Sequence, residues 1–168
     1  ARLSGDELAL ALGAELGGTV RNLRRLSGGA SRVTSAFELE EPGEPPRPLI
    51  LQMQRGAGAA GGGKVQMERA LLGAAREAGV PVPLVVAMGE HDALGADWLV
   101  VERLEGETIP RKILRDAEWD AARRALAAQC GRALAGIQAI DPGTIAALPP
   151  ADPLGDPLPY LDMLGEVR

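Results

Sequence analysis

The sequence predicts an α+β fold, a five-stranded antiparallel sheet with one packed helix followed by the first helices of a second, helical region. Three observations carry this. Short apolar segments recur five times before residue 104, a helical period interrupts them once, and beyond Gly106 only helical spacing and proline-rich loop remain. A change from mixed strand and helix to helix alone marks two lobes with room for a cleft between them. Residues 1–104 are read as the first lobe, with a leading helix over 1–18, and residues 105–168 as the hinge exit and the start of an incomplete helical lobe.

Ser4 and Glu7 have the spacing of a capping box, and Leu8, Leu10, Leu12 and Leu16 supply the apolar positions of a short helix ending at Gly17 and Gly18. A strand is expected over Val20–Leu26, a glycine loop over Ser27–Ser31, and a second strand over Val33–Glu40. In that strand Val33, Ser35, Phe37 and Leu39 share one face, with Thr34, Ala36, Glu38 and Glu40 on the other. Four prolines between Glu41 and Pro48 exclude a sheet interior there, because proline fixes φ and lacks the N–H donor. Leu49–Gln54 follows as the third strand. Its Ile50, Gln52 and Gln54 face is half polar, which suits a cleft better than a core.

Residues 55–63 are almost entirely glycine and alanine and read as a linker. Lys64–Ala78 returns to helical spacing, with Val65, Ala70, Leu71 or Leu72, and Ala75 as the buried stripe and Gly79 as the stop. Two further strands are expected at Leu84–Met88 and Trp98–Val101. The polar, glycine-ended stretch Glu102–Gly106 leads out of the second of them as a hinge. A short helical segment around Ile109–Leu114 and a long helix from about Glu118 to Ile140 come next, the latter with Ala122, Leu126, Ala133, Leu134 and Ile137 at helical intervals. Asp141, Pro142 and Gly143 end it, and the prolines beyond indicate loop with one short helix starting near Leu158.

Composition narrows the function. With 18 basic against 23 acidic residues there is no broad positive field, so nucleic acid is not an expected partner. No apolar run approaches the roughly 18 residues that span a bilayer, so no membrane is expected either, and the protein is placed in the cytoplasm. The single cysteine, Cys130, excludes an internal disulfide and is read as a small buried hydrophobe. The single histidine, His91, lies in a turn-like stretch, which makes a histidine metal site or a serine triad improbable. No metal-ligating set is assigned.

Two glycine arrays could approach a phosphate closely, since glycine leaves no Cβ in the way. Ser27, Gly28, Gly29, Ala30 and Ser31 lie in the first hairpin and read either as a tight turn or as a phosphate loop. Gly56–Gly61 follows a strand, precedes a helix and formally satisfies a dinucleotide fingerprint, with Glu90 as a distant ribose acid; its other reading is a plain linker. Glu68, near the start of the inserted helix, is either a solvated member of a Glu–Arg pair or the carboxylate that orients a phosphate-holding cation.

In this order the segments resemble the aminoglycoside phosphotransferase and choline kinase family, especially bacterial members similar to the kinase-like domain of acyl-CoA dehydrogenase family proteins. The likeness runs from about Leu26 to Asp141. It rests on Leu26–Ser31 as nucleotide loop, Leu49–Gln52 as third strand, Met67–Arg69 at the start of the paired helix, Gly79–Pro83 leading into the fourth strand, Trp98–Gly106 as hinge and Leu134–Asp141 as helix end.

The resemblance implies a protein-kinase-like N-lobe that binds ATP with magnesium and serves transfer to an unidentified small-molecule hydroxyl. It implies adenine in a cleft under the sheet, bonded to hinge backbone at Glu102 and Leu104, with Val101 guarding the pocket's rear and Ile50 among the nucleotide-binding residues, and phosphates beneath Ser27–Ser31. Two departures accompany it. Gln52 stands where the family carries a lysine or arginine, with Arg55 as a substitute from the strand's other face, and the family's His-Gly-Asp catalytic loop has no counterpart. The chain is therefore expected to be a portion of a longer phosphotransferase, inactive alone. A pseudokinase-like binding module is the alternative, and a dinucleotide-binding domain the second alternative.

Overall fold

The computed structural model describes residues 3–26, 32–54, 64–90 and 93–145. Helix α1 spans Gly5–Leu16, and its start is the reciprocal cap that the sequence spells. The Ser4 N–H donates to Glu7 Oε2 at 2.8 Å, and the Glu7 N–H donates to Ser4 Oγ at 3.3 Å. Gly17 closes the helix at φ +72°, a left-handed conformation that glycine adopts without steric cost.

Five strands follow: β1 (Thr19–Arg25), β2 (Arg32–Glu40), β3 (Arg47–Gln54), β4 (Val85–Gly89) and β5 (Trp98–Glu102). They form one sheet in the order β1-β2-β3-β5-β4, antiparallel at every pairing. The α+β expectation holds, with one refinement. β5 inserts between β3 and β4, so the strand on the chain's return forms the interior and the earlier β4 becomes the edge. β5 is the buried run Trp98, Leu99, Val100 and Val101, whereas every residue of β4 is only half-buried; the all-apolar segment takes the site covered on both sides. β3 also starts earlier than expected. Pro48 is tolerated near its beginning because its carbonyl still accepts from the Arg103 N–H at 3.2 Å.

Register builds two faces. One stacks Phe37 beside Leu49, Leu51 beside Val100 and Met53 beside Trp98; with Leu12 of α1 and Leu94 these form the core cluster. Burying each such large side chain contributes about 1.5–3 kcal/mol. The other face carries the rows Thr34–Gln52–Leu99 and Ala36–Ile50–Val101. Helix α2 (Lys64–Glu77) serves this second face, and its inward stripe is Val65, Glu68, Leu72 and Ala75. Of the two leucines left open by the sequence, Leu72 is the half-buried one and Leu71 is exposed.

Beyond β5 the chain runs extended into α3 (Pro110–Arg115), a 3-10 turn at Ala117–Trp119, α4 (Asp120–Gln138) and a second such turn at Pro142–Thr144. Helix α4 meets the chain just after α2 where Gly136 faces Val80; a Cβ at 136 would lie 2.8 Å from Val80 Cγ2, so only glycine permits this approach. Elsewhere α4 buries nothing fully. Cys130 is exposed, which corrects the expectation of a buried hydrophobe: it sits on a side of α4 that nothing among the described residues covers. No helix among the described residues is long and apolar enough to cross a membrane.

Candidate functional site

The second face of the sheet, bounded by α2 and by the strand end at Glu102, brings together Ile50, Gln52, Glu68 and Val101 of the residues that the sequence singles out. Ile50 and Val101 are register partners, with Val101 buried and Ile50 half-buried, and Ala36 completes their row. Together they make a short apolar wall. Gln52 lies one row further along, between Thr34 and Leu99.

Gln52 and Glu68 come together, and the residue that joins them is one that sequence reasoning missed. Arg32, the first residue of β2, donates from Nη1 to Gln52 Oε1 at 2.8 Å and to Glu68 Oε1 at 2.9 Å, and from Nη2 to Glu68 Oε2. The two parallel bonds to one carboxylate form the fork-to-fork pairing that only a guanidinium offers. The side chains of Arg32 and Glu68 are 25% and 30% exposed, so the pair is shielded yet reachable from solvent. Hydrogen bonding to the Glu68 carboxylate holds the Arg32 guanidinium above its ordinary pKa, against the opposing effect of partial burial.

A signal for Arg32 was present. The alternation over 33–40 places Thr34 and Ala36 on one face, the face that the register shares with Gln52, and one step back along it is position 32. Among the described residues the cation paired with Glu68 comes from β2. Arg55, the substitute considered from the sequence, lies outside the described residues, as do Ser27, Gly28, Gly29, Ala30 and Ser31, which immediately precede Arg32 in the chain.

The stretch that leaves β5 is fastened at its origin. The Glu102 N–H donates to the Leu84 carbonyl and the Glu102 carboxylate accepts from the Leu84 N–H, both at 3.0 Å, while the Arg103 N–H donates to the Pro48 carbonyl. These bonds commit the N–H groups of Glu102 and Arg103 within the sheet. Leu104, the next residue, is well exposed. Further on, Glu107 accepts from the N–H groups of Thr108 and Ile109 at 2.8 and 2.9 Å and from Lys112 Nζ at 2.9 Å, which fixes the start of α3. Lys112 and the backbone donors hold the Glu107 carboxyl below its usual range.

Gly56–Gly61 and His91 also lie outside the described residues. The surrounding topology nonetheless weighs against a dinucleotide fingerprint, which needs a parallel pair of strands joined through the helix. Here β3 and β4 run in the same direction but are not neighbours, since β5 lies between them and pairs antiparallel with both. Among the described residues no group of three or more histidine, cysteine, aspartate or glutamate side chains could hold a metal ion.

The model of a family described as "Phosphotransferase enzyme family" (APH) matches residues 22–164, which is most of the chain. No curated protein matches it. Among solved structures the chain is similar to a "putative aminoglycoside phosphotransferase" from Ralstonia eutropha, at 18% sequence identity and a TM-score of 0.44. The match covers 64% of this chain and 30% of that one, so the chain spans less than a third of the length of that solved protein.

Proposed function

This chain belongs to the phosphotransferase enzyme family, and from that premise we propose that it is the nucleotide-binding part of an ATP-dependent kinase acting on a small-molecule hydroxyl. The observation that carries the reading is Glu68. It is a helix carboxylate turned onto the cleft face of the sheet, and it holds a cation in a fixed direction. Phosphoryl transfer depends on positioned positive charge about the phosphates, and a helix glutamate that anchors a cation is a recurring way to supply it. In this reading the Ala36, Ile50 and Val101 wall receives the base. The Glu102 carbonyl and the Leu104 backbone bond its edge, and the phosphates lie under Ser27–Ser31.

The division of labour follows from the residues present. Magnesium, when bound with the nucleotide, neutralises charge on the phosphates. The sequence has a single histidine, ahead of Trp98–Gly106, and no His-Gly-Asp stretch. The reading therefore assigns the metal ligands and the carboxylate that positions the acceptor hydroxyl to residues outside this chain. Alone, the chain binds nucleotide and does not transfer phosphate.

Calorimetric titration with magnesium and ADP tests this reading. Binding is expected, and the paired change Gly28→Val and Gly29→Val weakens it by about tenfold or more, as lost backbone contacts to phosphate would. Unchanged affinity in that variant removes the phosphate-loop assignment. The runner-up, a partner-binding module whose chemistry has lapsed, rests on Gln52 in the usual lysine position; it gains if the protein ignores ATP altogether.

A further inference from the structure

The cluster of Arg32, Gln52 and Glu68 contains more than an orienting pair. We propose that the phosphate-contacting cation of this cleft has moved one strand over, from position 52 on β3 to Arg32 on β2, with Glu68 and Gln52 as its positioning residues. The inference rests on the nucleotide reading above and adds to it the residue that touches the phosphates.

The argument starts from donor arithmetic. A guanidinium has five N–H donors. Among the described residues Gln52 and Glu68 occupy three of them through the bonds already described, which leaves two for an anion. A lysine ammonium engaged with the same carboxylate and amide would have one donor left, and no rigid plane to aim it. Glu68 thus fixes the plane of Arg32 without exhausting it. Gln52 accepts through Oε1, which leaves its amide N–H groups as two further neutral donors beside the cation.

Register explains why the move is possible. Arg32 stands opposite Gln54, and Gln52 stands opposite Thr34, so Arg32 and Gln52 are diagonal neighbours on one face. A diagonal separation of about 7–8 Å is within reach of an arginine. Arg32 can therefore deliver its charge to the place a side chain at 52 would have occupied. Once it does so, a lysine at 52 would meet a like charge and compete for Glu68, and a neutral amide is the compatible residue there. Gln52 is in this view the complement of Arg32 and not a lost lysine. The position of Arg32, directly after Ser31, also sets the charge next to the proposed phosphate loop in the chain.

The decisive experiment compares the affinities of magnesium-ATP and of adenosine, which lacks phosphates, for the wild-type protein, Arg32→Ala, and the double variant Arg32→Ala with Gln52→Lys. Arg32→Ala is expected to lose about tenfold or more for ATP, the scale of one charged hydrogen-bonded contact, with adenosine unchanged. The double variant is expected to recover much of that loss, because it returns the cation to β3. Arg32→Gln replaces Arg32→Ala if the latter does not melt cooperatively.

Equal losses for ATP and adenosine would overturn the proposal by making Arg32 a purely structural residue. An unchanged ATP affinity in Arg32→Ala would overturn it while leaving the nucleotide site intact. Wild-type protein that binds neither ligand would overturn the nucleotide reading itself, and this inference with it.

Discussion

The sheet face with Phe37, Leu51 and Trp98 and the α4 face with Leu126, Leu134 and Ile137 use similar side chains at equally regular spacing, with opposite outcomes. The first three are 0–2% exposed, while the α4 three are 49–55% exposed. The difference lies in what each backbone requires. A strand leaves its N–H and C=O groups unpaired until a neighbouring strand arrives, so strand faces are assembled side by side and a helix such as α1 can cover them together. A helix satisfies its backbone internally and can stand with an apolar face bare. Where α4 does meet α2 and the chain after it, the two enclose a groove of about 490 Å³ between Leu72, Ala75, Ile137, Ile140 and Ile145, not a filled core.

The largest test of this contrast pairs Phe37→Ala with Leu134→Ala. The first should cost about 3–5 kcal/mol in urea unfolding, the second less than about 0.5 kcal/mol. A comparable loss at Leu134 would show that its face is covered after all. Two glycines of α4 sharpen the comparison within one helix. Gly131 has open space around its absent Cβ, so Gly131→Ala should stabilise by about 0.5–1 kcal/mol through helix propensity. Gly136→Ala should instead destabilise by about 1 kcal/mol, because buried, branched Val80 cannot yield easily. If both variants gain stability, α4 is not seated on Val80.

The smallest effect concerns α1, the helix that covers the buried face. The Ser4 backbone N–H, more than its side chain, holds the Glu7 carboxyl below its ordinary range. A depressed folded-state pKa means that the contribution is complete above the unfolded value and is lost as pH falls through the folded one. Melting temperature should therefore drop on the acid side of the carboxylate range, and Glu7→Gln should flatten that part of the profile. A profile identical in Glu7→Gln would show that the box does not couple to α1 docking.

Much of the fold was legible because its local signals agree. The Ser4–Glu7 spacing, the alternation through Phe37 and Leu39, and the apolar run at Trp98–Val101 each admit one local structure, and each forms as expected. The site was legible in part. Gln52 and Glu68 could be placed on a cleft from the polar alternation of β3 and the helix start, but Arg32 went unread because its strand was begun one residue late. The burial of α4 was read wrongly at Cys130, since periodicity states which residues share a face and is silent on what lies opposite.

The sequence by itself determined the elements, the class of the fold and the two faces of the sheet, because these depend on backbone geometry repeated every two residues or every 3.6. Only the tertiary structure decided that β5 lies inside β4, that α4 touches the chain after α2 through Gly136, and that Arg32 of β2 is the cation beside Glu68 among the described residues. Each of these is a contact between residues distant in the chain. Their choice depends on which segment is apolar enough for the sheet interior, on where a missing Cβ lets two backbones approach, and on how far a guanidinium reaches across a strand.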